Sequence, residues 1–102
     1  MSDPVIVIAR TQVRAEARTL FIAAARDCIS ATRREHGCIA YDMHESVTQA
    51  GHFVFLQSWE QREHVDAHLR KPHRLAFAEI AGACVERPAV VEVIEPRSVD
   101  RL

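Results

Sequence analysis

Apolar residues recur along this chain with two different periods, and the places where the period changes divide it into elements. Residues 5–14 are rich in β-branched side chains and read as a strand. Val5, Val7 and Ala9 fall on one of its faces and Ile6 and Ile8 on the other, so both faces begin apolar. From residue 16 to residue 34 the period lengthens. Phe21, Ala24, Ala25, Cys28, Ile29 and Thr32 recur at helical spacing, while Arg18, Arg26, Asp27, Arg33 and Arg34 lie largely outside that stripe, which predicts an amphipathic helix. Gly37 stands where a left-handed helix cap belongs, and a strand is expected over 38–45. A polar connection ending in Gly51 leads into an aromatic-rich strand over 52–60, so the two strands form a hairpin. Residues 61–69 place Val65, His68 and Leu69 at i, i+3 and i+4; Pro72 breaks this helix, and 75–85 return to helical spacing. Arg87 and Pro88 end it, residues 89–95 supply the last strand, and a short polar tail follows Pro96.

The order is β-α-β-β-α-β, which predicts an α+β fold of ferredoxin-like plan: one antiparallel sheet with helices on one face. The 102 residues are expected to form one domain with its core over about 5–95, since domains of about 100 residues carry a single core. Two helices cover one face only, yet Phe53, Phe55, Gln57 and Trp59 point one way along the third strand and Val54 and Leu56 the other. A wet second face would expose more apolar surface than monomers tolerate. The expected cover is a second copy, giving a homodimer through the sheet face.

Composition narrows the partners. Thirteen basic against fourteen acidic residues give a net charge of −1, which supplies no field to gather phosphates and argues against nucleic acid. No apolar run approaches the roughly 20 residues needed to cross a bilayer, and no basic segment precedes the apolar start, so no membrane association and a cytoplasmic location are expected. Cys28, Cys38 and Cys84 are odd in number, widely spaced and without a C-x-x-C pair, which fits reduced thiols packed as small apolar groups.

Three stretches carry a resemblance. Glu35-His36-Gly37-Cys38-Ile39-Ala40-Tyr41, at the helix-to-strand junction, resembles the E-x-G-C-x-x-Y signature of antibiotic biosynthesis monooxygenase (ABM) domains. Residues 53–60, ending in Trp59-Glu60, resemble that family's aromatic third strand, and His68-Leu69-Arg70-Lys71-Pro72-His73 resembles its H-x-x-x-P-H element. One departure stands out: relatives commonly carry Glu two residues before the Trp, where this chain has Gln57, an amide that hydrogen-bonds but cannot act as a base. The resemblance implies a dimeric α+β barrel of the quinol-monooxygenase type. It implies oxidation of a small electron-rich aromatic, a quinol or anthrone, by molecular oxygen with no metal or flavin cofactor. The deprotonated substrate is then its own reductant, so the protein need only bind it, take a proton and stabilise the anion.

Each candidate residue has a functional and a structural reading. Trp59, on the face shared with Phe53 and Phe55, either offers its indole N–H to a substrate oxygen or is a core residue bonded within the protein. His68, on the apolar side of its helix, is either a base or a satisfied structural histidine. Tyr41, Phe55, Gln57 and His73 are candidate substrate contacts, with Tyr41 also able to be a core anchor and His73 to hydrogen-bond the kinked segment. His44 and His52 flank the hairpin loop and are expected to be solvated. His64, His68 and His73 have a spacing that can reach one ion, but the H-E-x-x-H order is absent and no metal site is expected. Haem-degrading relatives of this fold use an Asn on the first strand, and this chain contains no Asn. Beside the oxygenase reading stand a related isomerase and a non-catalytic dimeric module that binds a small ligand.

Overall fold

The computed structural model describes residues 3–102. Four strands, β1 (Val5–Gln12), β2 (Cys38–Glu45), β3 (His52–Trp59) and β4 (Val90–Ile94), form one antiparallel sheet in the order β2-β3-β1-β4. The helices are α1 (Arg18–Thr32), α2 (Arg62–His68) and α3 (Pro72–Cys84), with a 3₁₀ turn at Ala15–Ala17 leading into α1. This is the ferredoxin-like α+β arrangement.

The boundaries differ from the sequence reading where tertiary contacts intervene. β1 stops at Gln12 because Val13 leaves the ladder to bridge Val85, and the Val13 and Arg14 N–H groups donate to the carbonyls of Gly51 and Cys84. Pro72 does not merely interrupt a helix; it opens α3 as its first residue, where the missing N–H costs nothing and the fixed φ suits the first turn.

The register decides which side chains face the helices. Val5, Val7, Ala9 and Thr11 on β1 stand opposite Trp59, Gln57, Phe55 and Phe53 on β3, and this row faces α1 and α3. Phe21 of α1 joins the three layers: its ring lies 5.2 Å from Phe53 and 5.6 Å from Phe77 of α3, and Phe77 lies 5.5 Å from Phe55. Trp59, Phe21, Val13 and Val65 are fully buried here.

Among the described residues, no helix covers the opposite face of the sheet. Ile6, Ile8, Val54, Leu56 and Ile94 line it, with Leu56 45% and Ile94 40% exposed. The two-faced strand pattern is therefore real, and the helices answer only half of it. No helix among the described residues is long and apolar enough to cross a membrane. Cys28, Cys38 and Cys84 are all free thiols.

Gly37 ends the α1-to-β2 turn with φ +84°, and a Cβ there would lie 2.2 Å from Cγ of His64. A Cβ added at Gly82, inside α3, would meet nothing within 4 Å. Chemical denaturation should accordingly separate two like substitutions. Gly37→Ala is expected to destabilise by more than about 1 kcal/mol, whereas Gly82→Ala should be neutral or stabilise by up to about 1 kcal/mol through helix propensity. Equal effects would refute this account of the turn.

Candidate active site

The interior row of the sheet does not close completely against the helices. Between them lies a cavity of about 240 Å³, walled by Val7, Ala9, Phe21, Phe55, Val65, Phe77 and other apolar side chains, with β4 contributing Val91 and Val93. Its volume is below the roughly 300–1,000 Å³ of drug-sized pockets, which suits a compact ligand. The polar groups on its wall are few: Thr11, Tyr41, Gln57, His68 and Arg74.

His68 ends α2, and its ring is fixed from behind. Its Nδ1 lies 2.7 Å from Oε2 of Glu35, and Nε2 of His73 lies 2.7 Å from the same oxygen. Glu35, at the turn after α1, and His68 are almost fully enclosed, with side chains 6% and 3% exposed, while His73 at the start of α3 reaches solvent. With Glu35 ionised, both imidazoles donate to it, which fixes the His68 tautomer with its proton on Nδ1 and leaves Nε2 as the basic nitrogen. Burial holds the His68 pKa below its ordinary 6.5; Glu35 pulls the other way, and His73 and Arg74 add to the lowering. His68 is thus a neutral imidazole at neutral pH, oriented as a general base requires.

Gln57 and Trp59 form the second fixed unit. The indole N–H of Trp59 donates to Oε1 of Gln57 at 2.9 Å in the buried interior. Because indole is only a donor, the amide oxygen must face it, and the NH₂ of Gln57 is left for the cavity. Tyr41 stands across the β2–β3 ladder from Gln57. Burial first, then neighbouring Cys28 and Glu35, raise its pKa far above the usual phenol value, so its hydroxyl is a hydrogen-bond donor rather than an acid.

Of the residues singled out from the sequence, His68, Tyr41, Phe55 and Gln57 therefore meet on one cavity wall. Trp59 does not: it is fully buried, its N–H is spent on Gln57, and it touches the site through that amide and through the His68 ring, 5.0 Å away. His73 also lies off the wall and acts on His68 through Glu35. The three-histidine cluster does not form. His64 packs against Gly37 and the His36 ring instead, and the donor atoms within 4.8 Å of one another belong to Glu35, His68 and His73. Sequence reasoning assigned no role to Glu35, although it opens the signature at the helix-to-strand junction, and none to Arg74.

Comparison with known proteins agrees with this architecture. The family model described as "Antibiotic biosynthesis monooxygenase" matches residues 4–80. "Putative monooxygenase Rv0793" of Mycobacterium tuberculosis is 36% identical over 96 residues, covering 94% of both chains. Its solved structure superposes with a TM-score of 0.88 over 96% of this chain and 99% of that one. A crystal structure described as that of an antibiotic biosynthesis monooxygenase is 26% identical, with a TM-score of 0.87 over 92% of this chain and 99% of its own. A conserved protein from Methanosarcina mazei Go1, 21% identical, shares the fold at a TM-score of 0.91 over 94% of this chain and 95% of that one. The chain belongs to the antibiotic biosynthesis monooxygenase family, and that membership supports a monooxygenase-like function.

The His68 environment gives stability a pH dependence of definite sign. The folded chain protonates His68 less readily than the unfolded chain does, so the unfolded state binds the extra proton as pH falls through 6.5, and this residue's contribution to stability drops below that pH and is constant above it. An NMR titration of the His68 ring should give a pKa below 6.5, and Glu35→Gln should lower it further by removing the one group that favours the charged ring. A rise in the Glu35→Gln protein would contradict the assignment.

Proposed function

We propose that the chain is a cofactor-independent monooxygenase that oxidises a small electron-rich aromatic, of quinol or anthrone type, with molecular oxygen inside this cavity. The observation that carries the reading is His68, a buried imidazole on the wall of an apolar pocket, with its Nδ1 2.7 Å from Oε2 of Glu35.

For an anthrone-type ring CH₂, Nε2 of His68 takes one proton and leaves a delocalised carbanion. The amide NH₂ of Gln57 and the Tyr41 hydroxyl donate to its oxygen, where most of the charge resides. The anion gives one electron to oxygen, and the resulting radical pair joins through a new C–O bond as a peroxide, which takes its proton back from His68. Loss of the second C–H proton with cleavage of the O–O bond yields the ketone and water. The balance is R₂CH₂ + O₂ → R₂C=O + H₂O, with all four electrons supplied by the substrate carbon. Glu35 and His73 are positioning residues: they keep the imidazole oriented and offset its charge while it holds the proton.

The uncovered sheet face belongs to the same proposal. A second copy laid on Ile6, Ile8, Val54 and Leu56 would remove this partly exposed apolar row from water and give each sheet its missing layer. Leu56→Glu should convert a dimer seen by sedimentation at micromolar concentration into a folded monomer, and a wild-type chain that sediments as a monomer would remove this part of the proposal.

Oxygen uptake tests the chemistry. Metal-stripped protein incubated with a panel of quinols and anthrones should consume oxygen, unchanged by chelator, and His68→Asn should slow it by roughly 10²–10⁴-fold, the usual worth of a general base. Uptake equal to that without protein across the panel, or uptake that needs added metal, would overturn the oxygenase reading and leave a ligand-binding module on the same scaffold.

A further inference from the structure

The charged group on the cavity wall is not explained by the chemistry above. Arg74, in the first turn of α3, is the one lysine or arginine lining the cavity, and no aspartate or glutamate shares that wall among the described residues. Arg10, Arg14, Arg18, Arg33 and Arg62 each meet a carboxylate of the fold within salt-bridge distance, and Arg74 meets none among the described residues. Arg74 is partly buried against this apolar wall, where its positive charge has no carboxylate among the described residues to pair with. Glu35, the interior carboxylate of this region, has one oxygen committed to both imidazoles and does not reach the cavity.

The other polar groups point the same way. Gln57 presents amide hydrogens because its oxygen is held by Trp59, and Tyr41 lines the same wall. Beside the acceptor Nε2 of His68 and the hydroxyl of Thr11, the wall therefore offers the Gln57 amide hydrogens and one cation around an apolar space, the complement of a ligand that bears a negative charge. The planar fork of an arginine matches a carboxylate through two parallel N–H···O bonds.

We infer that the cavity selects an aromatic substrate carrying a carboxylate, with Arg74 as the group that binds it and His68 facing the reacting part of the ring. The inference rests on the cavity being the substrate site of the proposed oxygenase, but it concerns binding and is read without turnover.

Equilibrium titration tests it with two matched pairs: 2,5-dihydroxybenzoate against its methyl ester, and 1,4-dihydroxy-2-naphthoate against its methyl ester, under anaerobic conditions. The wild-type chain should bind the acid of at least one pair at least about tenfold more tightly than the ester. Arg74→Gln, checked for an unchanged melting temperature, should abolish that preference by weakening the acid while leaving the ester unchanged, and Arg74→Lys should keep part of it. Equal affinity for acid and ester, a preference that survives Arg74→Gln, or no binding of any of the four up to millimolar concentration would each overturn the inference. A charge preference without oxygen consumption would retain it and sink the oxygenase reading alone.

Discussion

One oxygen of Glu35 receives hydrogen bonds from two imidazoles that enter from different helices, and the geometry of the site follows from that junction. Glu35 sits in the turn between α1 and β2, His68 closes α2, and His73 opens α3. Without the carboxylate, the buried Nδ1 of His68 would have no acceptor, while His73 could turn to solvent. Buried donors without partners cost about 1–3 kcal/mol each. The shared oxygen therefore ties the end of α2 to the start of α3 across the break at Pro72, and leaves Nε2 of His68 without a partner among the described residues.

The turn that carries Glu35 has its own requirements. Gly37 adopts a left-handed conformation, and its carbonyl accepts from Glu60 N–H at 2.8 Å beyond the end of β3. The missing Cβ at Gly37 makes room for the His64 ring of α2. α2 can then lie close enough for His68 to reach Glu35. A signature that spans a carboxylate, a glycine and a tyrosine is in this light one packing solution: Glu35 holds the His68 ring, Gly37 admits the helix, and Tyr41 lines the cavity that results.

Much of the fold was legible because it rests on local patterning. Alternation along β1 and β3 gave the strand faces, the spacing of Phe21, Ala25, Cys28, Ile29 and Thr32 gave the buried side of α1, and Gly37 marked the turn. Pro72 was legible as a discontinuity but not as the first residue of a new helix, because a missing N–H reads alike in both roles. The site was legible only by residue type. His68 stood out as a titratable group on an apolar stripe, but its partner is 33 positions away and no periodicity links them. From the sequence, Trp59 is a candidate substrate contact through the face it shares with Phe53 and Phe55, beside the alternative of a core residue bonded within the protein. The acceptor is Gln57, two positions earlier on the same face of β3, a pairing available to any strand with these residues at i and i+2. Arg74 was hidden among thirteen basic residues, since only the folded chain shows which of them faces an apolar cavity without a carboxylate beside it.

These charges also bear on how the proposed proton transfer would run in so apolar a place. Moving a proton from a ring carbon to an imidazole separates charge, and separated charge is expensive where the walls are Val7, Phe21, Phe55, Val65 and Phe77. On the proposed chemistry each half of the separated pair has a counterweight already in place. The imidazolium would stand against Glu35, and the substrate anion would meet the amide of Gln57 and the hydroxyl of Tyr41. None of these groups has to reorient during the step, because Trp59 pins the amide and Glu35 pins the ring. The burial that lowers the affinity of His68 for protons thus works with the carboxylate behind it: the first keeps the base free at neutral pH, and the second keeps its protonated form within reach.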